Sequence, residues 1–142
     1  MIQLGGRQPG PRPVLPLELL PYTLTVCRLA PTAAVPPWAA GESPFVTVSR
    51  TAEELSITTV SSAVPAGVQS EGNYRALRVR GTLPMNLIGI LAAIADPLAD
   101  AGLSIFAIST FDTDYVLVKA GDLTPALAAL EGAGHTILAE AR

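Results

Sequence analysis

The sequence predicts an α+β fold, an antiparallel sheet with helices on one face. Three observations lead there. Short runs of alternating apolar and polar residues come in pairs joined by short polar turns, as β-hairpins do. One stretch, Asn86–Ala101, carries apolar residues at helical rather than strand spacing. Two hairpins also align without a gap. Val48–Ile57 lies over Ile108–Leu117 at a constant offset of 60 residues, with Ser49 over Ser109 and Glu54 over Asp114.

Leu24–Leu29 reads as the first strand, with Leu24, Val26 and Arg28 on one face and Thr25, Cys27 and Leu29 on the other. The crossover Ala30–Gly41 holds Pro31, Pro36 and Pro37, which forbid a long helix and leave room for one turn at Pro37–Ala40. Trp38 is expected to plug this crossover onto the sheet. Phe45–Arg50 and Leu55–Val60 form a hairpin around the polar turn Thr51–Glu54, and Ser61–Asn73 is a loop.

Tyr74–Gly81 opens the second half, with Leu77 and Val79 inward and Arg78 and Arg80 outward. In the helix that follows, Leu87, Ile90, Leu91, Ile94, Leu98 and Ala101 make one apolar stripe, capped by Asn86 at its start and Gly102 at its end. Leu91 is expected to be buried, and Pro97 to kink or break the last turn. Ser104–Thr110 and Tyr115–Lys119 pair as a hairpin. A second helix, Pro125–Ala133, is capped by Thr124, and His135–Ala139 is the last strand. The second half therefore reads β-α-β-β-α-β, the ferredoxin-like order, and the repeat makes the first half a related unit with a shortened crossover. The organisation expected is a disordered or extended tail over 1–21, a degenerate half over 22–72 and a complete domain over 73–142.

Composition narrows the chemistry. Hydrophobic residues make up 49% of the 142, enough for a core, while charged residues make up only 15%, which suggests an apolar surface hidden between halves or subunits. The net charge of −3 with scattered Arg and Lys offers no basic stripe for nucleic acid. No run of about 18 apolar residues suits a membrane span. The segment Val14–Leu20 is too interrupted for a signal peptide, so a cytoplasmic protein is expected. Cys27 and His135 stand alone of their kinds, so neither a disulfide nor a Cys- or His-built metal centre or triad has its material. No cofactor is expected.

Two segments carry candidate chemistry. Ser109-Thr110-Phe111-Asp112-Thr113-Asp114 gathers two carboxylates, three hydroxyl groups and a ring in one hairpin turn. As a plain turn, its carboxylates bond nearby N–H groups. As a site, the carboxylates suit an ammonium or guanidinium, and Phe111 serves as a lid or wall. A metal at Asp112 and Asp114 lacks further acids, and a glycosidase pair lacks a cleft. At the second segment the helix start Asn86, Leu87, Ile88 and Gly89 offers N–H groups to a carboxylate, or simply packs tightly. Gly89 in a first turn costs roughly 1 kcal/mol against Ala, which a ligand close to the backbone would justify. A free amino acid carries both charges these segments attract.

Four stretches, SIFAISTFDTDYVLVK (Ser104–Lys119), LIGILAAIADPLADAG (Leu87–Gly102), VTVSRTAEELSI (Val46–Ile57) and EGNYRALRVRG (Glu71–Gly81), resemble the small bacterial tandem ACT-domain proteins. The pattern is also similar to the cytosolic arginine-sensing ACT proteins of animals, and it spans about Leu24 to Ala139. The resemblance implies ACT-like units in tandem and a non-catalytic regulatory protein that binds a free amino acid at the interface of the paired units. Carried over by position, Thr110, Phe111 and Asp114, with Leu87, Ile88 and Gly89, are the expected contacts. The chain departs from the pattern at Met85-Asn86, on the ligand side, and at Asn73-Tyr74. The rival reading is a ligand-free protein-interaction module using the ACT pair. An aspartokinase-like enzyme ranks last, since no phosphate-binding loop or kinase-sized region is present. A regulatory protein partner of unspecified kind is implied, and open strand edges favour a homodimer.

Overall fold

Among the described residues strand β1, Pro16–Leu29, is the longest element, and it forms one sheet with six further strands. The computed structural model describes residues 12–81 and 88–139. After β1 come a single 3-10 turn at Pro37–Ala39, then β2 (Val46–Arg50), β3 (Leu55–Val60), β4 (Ser70–Val79), α1 (Ile90–Asp100), β5 (Ile105–Ser109), β6 (Asp114–Lys119), α2 (Leu123–Gly132) and β7 (Thr136–Ala139). The sheet order is β2-β3-β1-β4-β6-β5, antiparallel throughout. β7 lies beside β1 and runs parallel to it, pairing Pro16–Leu19 with Thr136–Ala139. β1 thus divides its neighbours on one side: its first residues pair with β7 and its last six with β3.

β1 begins eight residues before the expected Leu24, so 16–21, expected in a tail, are sheet. Pro16 opens the strand, a tolerated place for proline, and Leu15, Leu17 and Leu20 are buried. Pro21 sits where the β1–β4 register shifts, between Leu19 and Thr23, so its missing N–H falls at an irregularity. Local proline content had hidden a strand that long-range pairing enforces.

Both helices pack on one face of the sheet. Ile90, Ala93, Ile94 and Leu98 of α1 and Ala126 and Leu130 of α2 meet Leu17, Leu77, Val79, Val116 and Val118. The proline-rich crossover covers β1 and β3 instead of a helix. There Trp38 and Ala39 pack on Cys27, Leu55 and Ile57. Burial pushes the pKa of the Cys27 thiol up, which keeps it protonated and unreactive. Among the described residues the opposite face carries no helix. It gathers Leu20, Leu24, Ala76 and Leu117 with Phe45, whose ring meets Tyr115 edge-on at 5.1 Å between centroids. Phe45 leads into β2 and Tyr115 lies on β6, so the sheet curls around this second core.

Several boundaries differ from expectation for local reasons. α1 starts at Ile90 with Gly89 as its N-cap; Asn86, the expected cap, lies outside the described residues. Gly89 has φ 79°, a left-handed conformation that glycine adopts freely, so backbone geometry accounts for it without a ligand. Leu91 is 37% exposed, and Ala93 takes its place in the buried stripe. α2 starts at Leu123 after Asp122 rather than after Thr124, so Pro125 is its third residue, still within the turn that needs no intrahelical N–H. The hairpins also align one residue differently. Bonded pairs at Thr51 with Glu54 and at Thr110 with Thr113 close two-residue loops, so Ser49–Ser56 corresponds to Ile108–Tyr115 rather than Ser49 to Ser109. A one-residue slip exchanges the faces, which the ungapped alignment could not register.

Pro97 does not break α1, which runs on to Asp100. A proline at 97 leaves the Ala93 carbonyl without its i+4 donor. Buried His135 supplies one, its Nε2–H donating to the Ala93 oxygen at 2.7 Å. Its Nδ1 accepts the Leu15 N–H at 3.0 Å. One ring therefore completes the helix and fixes the entrance to β1. His135→Ala should lower unfolding stability by about 2–4 kcal/mol, since it leaves a buried donor and acceptor unmatched. In a Pro97→Ala background the loss should shrink by about 1 kcal/mol, because a backbone N–H then serves Ala93. A urea-denaturation double-mutant cycle measures both; equal losses in the two backgrounds would rule the compensation out.

The same denaturation experiment separates core from surface on α1. Ile94→Ala should cost about 2–5 kcal/mol. Leu91→Ala should cost under about 1 kcal/mol, because that side chain leaves less surface from water to re-expose.

Candidate functional site

The turn between β5 and β6 is built to hold itself. The Thr110 N–H donates to the Thr113 carbonyl at 2.9 Å, and the Thr110 hydroxyl donates to the same oxygen at 3.1 Å. The Ser109 hydroxyl donates to Asp114 Oδ1 at 2.6 Å across the last strand pair. The Thr113 hydroxyl donates to the Val79 carbonyl at 3.1 Å, which ties the turn to the end of β4. Four of the six expected turn residues thus brace one another, as the plain-turn reading requires. Phe111 is different: it is 84% exposed at the tip, beside exposed Asp112, and among the described residues no ring contact engages it.

Topology sets the start of α1 at the same end of the sheet. β4 delivers the chain to the turn, α1 packs back along β6, and β5 begins at the far end opposite Val118. Gly89 has no side-chain cap, and Ile88 beside it is 66% exposed. Among the described residues no hydrogen bond or ion pair joins Ile88 or Gly89 to the turn. Asn86 and Leu87 lie outside the described residues. The arrangement offers exposed apolar groups, a helix start and a carboxylate at one end of the sheet.

On the helix-free face near this end, Glu18 of β1 sits between two arginines, with Arg78 Nη2 at 2.8 Å and Arg80 Nε at 3.3 Å. Its side chain is 13% exposed, so the pairing compensates a nearly buried charge. This cluster draws positive charge to β1 and not to the turn. Among the described residues no group of three or more His, Cys, Asp or Glu stands close enough to hold a metal ion. No described helix is long and apolar enough to cross a membrane.

A separate cleft of about 370 Å³ opens between β2–β3 and β5. Ser109 and Thr110 reach it, and Thr47, Ser49, Ser56, Thr58, Phe106 and Ile108 line it. Sequence reasoning missed all six of these. Their signal was a hydroxyl at alternate positions, Thr47 and Ser49 on β2 and Ser56 and Thr58 on β3, which puts four hydroxyl groups on one face.

Residues 69–132 match the ACT-domain family model, and residues 23–67 match the model of a small N-terminal domain. No curated protein matches the sequence. Among solved structures, a protein from Agobacterium tumefaciens is 33% identical, with a TM-score of 0.85 over 92% of this chain and 96% of that one. A Vibrio cholerae protein of unknown function is 23% identical, with a TM-score of 0.65 over 80% of this chain and 85% of that one. The regulatory subunit of aspartate kinase from Thermus flavus shares the fold at 12% identity, with a TM-score of 0.57 over 87% and 98% of the two chains.

The turn's internal bonding and its exposed ring predict opposite responses to mutation. Phe111→Ser should leave the melting temperature unchanged within about 0.5 kcal/mol of stability, as an exposed residue would. Ser109→Ala should cost about 0.5–1 kcal/mol, the worth of a charge-assisted bond at an exposed site. Thermal melts of the two variants test both; a large loss from Phe111→Ser would mean the ring is structural.

Proposed function

Since the chain belongs to the same family as the Agobacterium tumefaciens protein and matches an ACT domain over 69–132, we propose that it is a non-catalytic regulatory protein that binds a free amino acid. The site we assign is the sheet end that holds the Ser109–Asp114 turn and the start of α1, with Ser109, Thr110, Phe111, Asp112, Thr113, Asp114, Ile88 and Gly89 as contacts; Asn86 and Leu87, proposed with them, lie outside the described residues. One observation carries the reading: a helix start without a side-chain cap and a carboxylate turn share that end of the sheet. The first attracts a carboxylate and the second an ammonium or guanidinium. The fold shared with an aspartate kinase regulatory subunit supports a regulatory role.

The same reading treats 22–72 and 73–142 as two ACT-like units in tandem, the first with its helix reduced to a single turn. It gives the protein a regulatory partner, a cytoplasmic location and a tendency to form homodimers.

A thermal-shift screen over the common amino acids tests the proposal. A ligand at a hundred times its dissociation constant should stabilise by about 2.7 kcal/mol, a shift of several degrees for a chain of this size. Asp114→Asn keeps an acceptor for Ser109 but removes the charge, and should abolish the shift while the ligand-free melt stays near that of the wild type. No shift from any amino acid at millimolar concentration, in protein shown by native mass spectrometry to carry none, would overturn the reading.

A further inference from the structure

The two outermost strands of the sheet, β2 and β5, border one cleft. Hydrogen-bond phase shows which backbone groups at these two edges point away from the sheet. In an antiparallel ladder, bonded pairs alternate with non-bonded ones. Counting from the bonded pair Thr51 and Glu54, residues Thr47 and Ser49 turn their N–H and C=O toward β3, while Val46, Val48 and Arg50 turn theirs outward. Counting from Thr110 and Thr113, Ile105, Ala107 and Ser109 of β5 turn theirs outward. Val48, Ala107 and Ser109 of these outward sets line the cleft itself.

Open edges are usually blunted by charge, proline or a bulge. β5, IFAIS, has no charged residue and no proline, and β2, VTVSR, has a single charge at its last position. Neither pairing shows a register shift. Among the described residues none of the side chains lining the cleft is ionisable; its interior offers Thr47, Ser49, Ser56 and Thr58 around Phe106 and Ile108.

We propose that this cleft binds one extended, uncharged peptide segment, which adds a strand between β2 and β5 and closes the curled sheet. Backbone groups on both walls supply the affinity, as in strand addition at other sheet edges. The absence of ionisable groups selects an uncharged segment, since an unpaired charge would lose its hydration there. Residues inward in the cleft meet hydroxyls and Phe106, which suits small or β-branched side chains at alternate positions. A second copy of the chain would engage one edge only, from outside. This cleft meets the amino-acid site proposed above at Ser109 and Thr110, but its test reads Val46, Val48, Ile105 and Ala107, which that site does not use, so the two readings can fail independently.

The test titrates the full chain with the peptide Ser-Val-Thr-Val-Ser, acetylated and amidated at its ends, and follows amide hydrogen exchange by NMR. Slowed exchange at Val46, Val48, Ile105 and Ala107 together is the expected result. The control peptide Ser-Val-Pro-Val-Ser, which cannot form a continuous strand, should slow none of them. Val48→Pro and Ala107→Pro each delete one outward N–H and leave the β2–β3 and β5–β6 ladders intact, so each should weaken binding by roughly three- to tenfold, the worth of a hydrogen bond. The exchange pattern of the wild type stands by itself if a proline variant fails to fold. The proposal is overturned by unchanged exchange at saturating peptide. It is equally overturned by protection of one edge alone that tracks protein concentration and sedimentation as a dimer.

Discussion

Strand β1 is the constraint on which the architecture rests. Among the described residues, every strand pairing that joins β2 and β3 to the rest of the sheet passes through it. Its fourteen residues meet three partners, β3, β4 and β7, so an error in its register would displace both cores at once. The register is held where side chains are least interchangeable. Leu17 is fully buried on the helix face and Leu20 and Leu24 on the other, and Glu18 lies between two arginines. At its entrance His135 grips the Leu15 N–H while mending the helix that Pro97 interrupts. Proline in α1 and histidine after α2 are one feature, and each makes sense only with the other present.

Local chemistry made the hairpins, the reduced crossover and the second half's order of elements readable in the sequence. β3 was placed to the residue, and β2, β5 and β6 to within one residue at each end, because alternation and turn residues both spoke for them. Longer-range effects were hidden. The start of β1 depends on β4 and β7, which lie about 60 and 120 residues away, and its two prolines, Pro16 and Pro21, argued locally for a tail. Leu91 and Ala93 lie on opposite borders of the helical stripe, and only the helix's rotation on the sheet chooses between them. The curl that brings β5 near β2 follows from the sheet as a whole, so no local pattern pointed to the cleft.

The Ser109–Asp114 segment shows why composition alone overstates chemistry. Its hydroxyls and one of its two carboxylates are largely engaged with one another or with Val79. A turn that braces itself is a poor lid but a good platform, since a ligand then meets groups already in position and little ordering is required on binding. Phe111 is the member of the segment that no internal contact explains.

The pairing of Pro16–Leu19 with Thr136–Ala139 sets a schedule on the ribosome. The strand made first waits for one made last, and at about 5–20 residues per second the interval is on the order of 6–24 s. During that time the flank of β1 destined for β7 is an uncovered template beside other nascent chains. Pro16 within this flank, and Pro21 two residues past it, are suited to this exposure, because each removes a donor from the uncovered strand. What reads locally as a poor strand is then a strand kept from pairing too early.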